Sequence, residues 1–180
     1  MRRLVAVVLL ITLLPLSAAH ADFDRMGSGD PYVDAQTGLT YAIWKPTSTV
    51  ALKLSEIKLL LCSMKSEQWI SATYGSKKKY VQILESDSKA RCSDTGVGKL
   101  VSTVKIGTAK AKVFVYCNKA NAIAWNSCST SDFATVGGYL TWIAPKTKKL
   151  KATSIEVLAQ GVAYKDVLAT AKALKLLPTK

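Results

Sequence analysis

The chain has 180 residues, with 25 Lys and Arg against 12 Asp and Glu, which gives a formal net charge of +13. This length usually forms one domain. A hydrophobic fraction of 49% with 21% charged residues indicates a globular protein and excludes a disordered polyelectrolyte.

The first 21 residues have the pattern of a secretory signal peptide. Arg2 and Arg3 form a basic start, an apolar run follows over 4–14, and an A-x-A cleavage site ends at Ala21. The run is shorter than the about 20 residues that a membrane-spanning helix needs. We therefore predict a secreted or periplasmic protein with no transmembrane segment after cleavage.

Cleavage would remove the one histidine, His20. Histidine is the usual general base and the commonest metal ligand. A chain without it has no Ser-His-Asp triad, no HExxH zinc site and no His-rich metal site. The sequence therefore predicts no catalytic residue, no cofactor and no metal, although a histidine-free hydrolase acting on an envelope polymer stays an alternative.

The segment over 22–36 differs in composition from the rest. It contains four Asp and a Gly-Ser-Gly-Asp-Pro stretch, which is typical of a flexible acidic leader. The remaining residues, 37–180, are predicted to form one β-rich domain.

Strand signals dominate that domain. A strand is predicted over 39–44, and a loosely alternating segment follows over 49–61. Short polar connections then join three pairs of β-rich segments, which predicts three hairpins in an antiparallel meander. The pairs are 69–74 with 80–85, 100–106 with 112–117, and 138–144 with 150–159.

The last element has a helical period. Five apolar residues recur at helical spacing and predict a helix over 163–176, packed on the sheet and ended by Pro178. They are Tyr164, Val167, Leu168, Ala171 and Leu174. The predicted class is α+β: mainly an antiparallel sheet with a C-terminal helix, stabilised by disulfides.

The four cysteines of the domain are Cys62, Cys92, Cys117 and Cys128. An even number behind a signal peptide predicts disulfides in an oxidising compartment. Three connectivities are possible. The pairing Cys62–Cys92 and Cys117–Cys128 is favoured because each bridge closes a loop that is local in sequence.

The C-terminal third, about 40 residues from Gly138 onward, resembles the end of certain bacterial envelope domains, which occur in anti-sigma-factor-associated and lipoprotein-sorting-like proteins. Ala171, Ala173 and Leu174 fit the pattern of their final helix, whereas Ala163 stands where a Ser or Thr cap is common. The resemblance implies a curved antiparallel sheet with a packed helix, and a non-enzymatic binding or sensing role. It carries over no functional residue.

Lysines are concentrated in the predicted turns. We identify seven of them as candidates for contact with an anionic partner: Lys77, Lys78, Lys79, Lys146, Lys148, Lys149 and Lys151. A further group, Lys105, Lys110 and Lys112, surrounds the predicted second hairpin. In a simple meander the first and third hairpin loops would share one rim. The alternative interpretation is that these lysines only keep the protein soluble and protect sheet edges.

Trp125 is a candidate loop contact, because it lies inside the loop that a Cys117–Cys128 bridge would close. The other aromatic residues are better explained as core packing. The sequence thus predicts an exported, non-catalytic binding protein of the cell envelope or extracellular space. The partners that fit are an anionic envelope surface, a lipid or an acidic protein. An alternative is a basic secreted factor that binds an anionic surface or inhibits a protein partner. Nucleic acid is disfavoured because the chain is exported and its basic residues are mainly Lys.

Overall fold

The computed structural model describes residues 27–62, 67–90 and 92–178. The predicted signal peptide lies outside these ranges. The helices are α1 Pro31–Gln36, α2 Ala122–Ser127, α3 Phe133–Val136 and α4 Tyr164–Lys172. The strands are β1 Trp44–Pro46, β2 Leu54–Leu61, β3 Gln68–Ser76, β4 Lys79–Asp87, β5 Lys99–Ile106, β6 Ala109–Val115, β7 Gly138–Ala144, β8 Thr153–Gln160 and β9 Leu174–Leu176.

Seven strands form one antiparallel sheet in the order β2-β3-β4-β8-β7-β6-β5, and β1 pairs with β9 in a separate ribbon. The three predicted hairpins are confirmed as β3–β4, β5–β6 and β7–β8. Their order along the sheet is not that of a simple meander. The third hairpin lies between the first two, because β8 pairs with β4 over eight residues.

The connection between β4 and β5 must therefore cross the sheet. Ser93 donates a hydrogen bond to Glu156 on β8, and the hydroxyl of Tyr116 donates to the carbonyl of Thr95. The crossing segment thus lies on the face that we call the outer face, and it covers part of this face.

The inner face of the sheet forms the core. Its strands alternate, so that apolar side chains such as Ile83, Val113 and Ile155 point inward and have no exposed surface. Helices α1, α3 and α4 cover them with Tyr32, Phe133, Val167 and Ala171. Both disulfides have the favoured pairing, Cys62–Cys92 and Cys117–Cys128.

Two local predictions differ from the structure near the N-terminus. Residues 31–36, predicted to belong to a flexible leader, form α1, whose start is capped by Asp30 and whose Tyr32 and Ala35 are buried. The predicted strand over 39–44 is also displaced. Only Trp44–Pro46 is a strand, and Tyr41 makes an isolated bridge with Lys151.

The C-terminal helix packs on the sheet but is shorter than predicted. It ends at Lys172, and Leu174–Leu176 forms β9 instead. The strand forms because Leu174 and Leu176 pair with Pro46 and Trp44, which a continued helix would prevent. Ala163 stands at the N-cap and makes no side-chain capping bond. Within the described residues, none of the helices is long and apolar enough to cross a membrane.

Candidate functional site

The register of the sheet separates the predicted lysine groups. Tyr80 pairs with Gln160 and Asp87 pairs with Thr153. The turn with Lys77 and Lys78 therefore lies at one end of the sheet, and the β7–β8 connection, 145–152, lies at the other. At about 3.4 Å per residue the two loops are roughly 25 Å apart. The expectation that the first and third loops share one rim is wrong. Strand β8 pairs antiparallel with β4, so that β8 begins, and the third loop lies, at the end of the sheet where β4 finishes.

The second hairpin loop, rather than the first, lies beside the third. Gly107 and Thr108 of the β5–β6 turn line one pocket together with Pro145, Lys172 and Lys175. Lysines from three connections thus meet at this end of the sheet, and all of them are exposed. We call this group the basic end: Lys105, Lys110, Lys112, Lys146, Lys172 and Lys175.

Like charges oppose each other directly at the basic end. Lys105 pairs with Lys110 across the β5–β6 ladder, and Lys45 pairs with Lys175 across the β1–β9 ribbon. The Nζ atom of Lys45 lies 2.5 Å from Asp30 Oδ2, so that its charge is compensated. Among the described residues, neither Lys105 nor Lys110 takes part in an ion pair. Opposed like charges destabilise a sheet.

A groove on the outer face adjoins these lysines. Its volume is about 370 Å³, and Lys110, Lys112, Thr141, Ser154 and Glu156 contribute its polar lining. Phe114 and Tyr139 form part of the same lining and stack with ring centroids 4.7 Å apart. The groove therefore combines an aromatic surface with charged side chains of both signs, two lysines and one glutamate.

A second concavity, the end pocket, opens at the end of the sheet toward the inner face. Its volume is about 310 Å³, and Trp44, Trp142, Ile106 and Pro145 line it together with Lys172 and Lys175. No Asp or Glu is found among its described lining residues. The indole nitrogen of Trp44 is buried and has no hydrogen-bond partner in the described part of the chain.

The predicted lysines of the β7–β8 connection differ in their contacts. Lys151 Nζ lies 2.7 Å from Asp87 Oδ2. Burial raises the pKa of Asp87, but hydrogen bonds from Lys151 and from the Lys89 backbone outweigh it and lower the pKa overall. Asp87 in turn raises the pKa of Lys151. Lys151 is therefore held in an internal ion pair, whereas Lys148 and Lys149 are exposed on the same connection.

Trp125 lies on α2, away from the basic end. The Nζ atom of Lys99 donates to the carbonyl oxygens of Trp125, Asn126 and Cys128 at 2.6, 2.9 and 3.1 Å. Trp125 is half-buried, while its neighbour Ile123 is 82% exposed. The role of Trp125 as a loop contact stays a prediction.

Glu85 is a buried carboxyl group that the sequence analysis missed. Its Oε2 accepts a hydrogen bond of 2.8 Å from the Trp44 backbone, and its Oε1 is buried with no partner among the described residues. Burial raises its pKa well above the usual value. The alternation Val81-Ile83-Glu85 was the available signal, because it places Glu85 on the apolar face of β4.

Comparisons with protein-family models, curated proteins and solved structures give no match to this chain. In the described ranges, no group of three or more Cys, Asp or Glu side chains is placed to hold a metal ion.

Proposed function

We propose that this chain is an exported, non-catalytic binding protein of the bacterial cell envelope or extracellular space, and that it binds an anionic partner at its basic end. Two disulfides support export, because such bonds persist in oxidising compartments. The basic end supports the anionic partner.

The observation that carries the proposal is the direct opposition of Lys105 and Lys110. A solubilising surface distributes its charges, whereas this hairpin holds two lysines where their repulsion lowers stability. Residues that lower stability in this way are typical of functional sites. An anion placed between the two ammonium groups would relieve the repulsion.

The test compares two triple variants with the same change of charge. One carries Lys105→Gln, Lys110→Gln and Lys112→Gln at the basic end. The other carries Lys77→Gln, Lys78→Gln and Lys79→Gln at the opposite end. Binding to phosphatidylglycerol vesicles and to soluble polyglutamate is measured by sedimentation and by calorimetry, at low and at high salt.

Each lysine near an anionic surface contributes roughly 1 kcal/mol, so that we expect a loss of affinity of roughly a hundredfold in the basic-end variant. The opposite-end variant should retain binding. Equal losses in both variants would mean that only net charge matters. Absence of salt-sensitive binding to both polyanions would overturn the proposal.

The outer groove supports a second, less favoured function, a histidine-free hydrolase. It brings Ser154 and Glu156 near Lys110 and Lys112. A glycoside hydrolase, however, needs two facing carboxyl groups, and Glu156 is the one carboxylate among the described lining residues. The groove therefore fits binding better than hydrolysis.

A further inference from the structure

We propose that the end pocket binds the apolar part of an amphiphilic organic anion, and that Lys172 and Lys175 hold its acidic group. The inference rests on the proposed function, which it extends from a charged surface to a defined cavity. The ligand class is a single acyl chain or aryl group that carries a carboxylate or phosphate.

The walls of the end pocket are suited to an apolar group. Two indole rings, Trp44 and Trp142, face the cavity together with Ile106 and Pro145. Small-molecule sites are largely apolar with a few fixed polar groups. The volume of about 310 Å³ is at the lower end of such sites. A single chain or ring therefore fits better than a two-chain lipid.

The two lysines lie on ordered elements and are not used by an internal ion pair in the described residues. Lys172 is the last residue of α4, and Lys175 is the central residue of β9. Lys175 also lies opposite Lys45, whose ammonium group is paired with Asp30, so that the charge of Lys175 stays available to an anion. Because no Asp or Glu is among the lining residues that the structure describes, the charge of the pocket selects for anions.

The experiment uses decanoate as the probe, with decanol as a neutral compound of the same chain length and acetate as the acidic group alone. The full chain carries Trp69→Phe and Trp125→Phe, so that the two remaining indoles are those of the end pocket. Tryptophan fluorescence and calorimetry follow binding. We expect decanoate to bind at least about tenfold more tightly than decanol, and acetate to give no signal.

Two variants test the assignment. Lys172→Gln with Lys175→Gln should weaken decanoate binding about tenfold and leave decanol unchanged. Lys77→Gln with Lys78→Gln is the matched control and should change neither. Thr108→Phe places a large ring on an exposed turn at the pocket wall without adding an indole, and it should abolish the decanoate signal while the far-ultraviolet circular dichroism stays that of the parent chain.

The source of the anion is distinguished by presenting decanoate both free and inserted in neutral vesicles. Binding of free decanoate indicates a soluble amphiphile, and binding only to the doped vesicles indicates a membrane surface; both support the inference. Equal affinity for decanoate and decanol, or no fluorescence change with decanoate in either the free or the vesicle-inserted form, overturns it. Polyanion binding in the sedimentation assay is a separate result, so that failure of the pocket and failure of the basic end are distinguishable.

Discussion

Lys105 and Lys110 lie directly opposite each other across the β5–β6 hairpin, two residues before and after the turn at Gly107 and Thr108. Their ammonium groups repel each other, and the described residues provide no ion pair to offset this. Replacing one of them should therefore stabilise the fold while it weakens the proposed site.

We expect Lys110→Thr to raise the free energy of unfolding by about 0.2–1 kcal/mol, measured by urea denaturation. Lys112→Thr is the control, since it removes the same charge from the same face of β6 but lies opposite Thr103. The gain should shrink at high salt, because the repulsion is screened. A gain of equal size in both variants would show that strand propensity, and not the lysine pair, is responsible.

Buried Glu85 should make stability depend on pH. Its folded pKa lies well above that of the unfolded chain, so that its contribution is fully present below about pH 4 and is lost as the pH rises through the folded pKa. Burial raises the pKa of its neighbour Tyr74 to about 12. Burial also raises the pKa of Tyr32 and of Tyr41. These tyrosines therefore stay neutral over the range concerned.

We expect Glu85→Gln to lose less thermal stability than the wild type as the pH is raised from acidic to mildly alkaline values. Thermal unfolding followed by circular dichroism across this range measures the effect. Glu56→Gln is the control, because the Glu56 side chain is half-exposed beside Lys58. Identical pH profiles for the wild type and the Glu85 variant would contradict the assignment.

The Lys151–Asp87 ion pair should contribute to acid stability and not to binding. The folded pKa of Asp87 is lowered overall, so that its contribution is present above about pH 4 and is lost as the pH falls through the folded value. Lys151→Gln removes one of the hydrogen bonds that lower the pKa of Asp87.

The midpoint of acid unfolding of this variant should therefore move to higher pH, while its binding to vesicles stays unchanged. Lys148→Gln, on the same connection, should shift neither; an equal midpoint in both variants would disprove the role of the pair.

Each disulfide should stabilise the protein mainly through the unfolded chain. Replacing either pair of cysteines by serine should lower the free energy of unfolding by about 2–4 kcal/mol. The effect should be larger by about 1 kcal/mol for Cys62–Cys92, since its partners are 30 residues apart and those of Cys117–Cys128 are 11 apart. Urea unfolding followed by tryptophan fluorescence tests both values. The reverse order would indicate that native contacts around the bridges dominate.

Local signals predicted much of the fold. The turns at 77–78 and 107–108 and the strands on either side of them were predictable, because turn chemistry and side-chain alternation depend on neighbouring residues. The helix after Gly161 followed from its apolar period, but its end did not, because the pairing of β9 with β1 overrides the period after Lys172.

The sequence by itself determined the number of hairpins and the excess of lysine, whereas it left three disulfide pairings open and only favoured the one that the structure has. Only the tertiary structure decided which lysines lie together, since this depends on β8 pairing with β4 and on the crossing segment that the pairing requires. Long-range strand pairing is set by the combined burial of many side chains and leaves no mark within any one segment. For the same reason the end pocket, whose lining comes from four separate segments, was not visible before the strands were ordered.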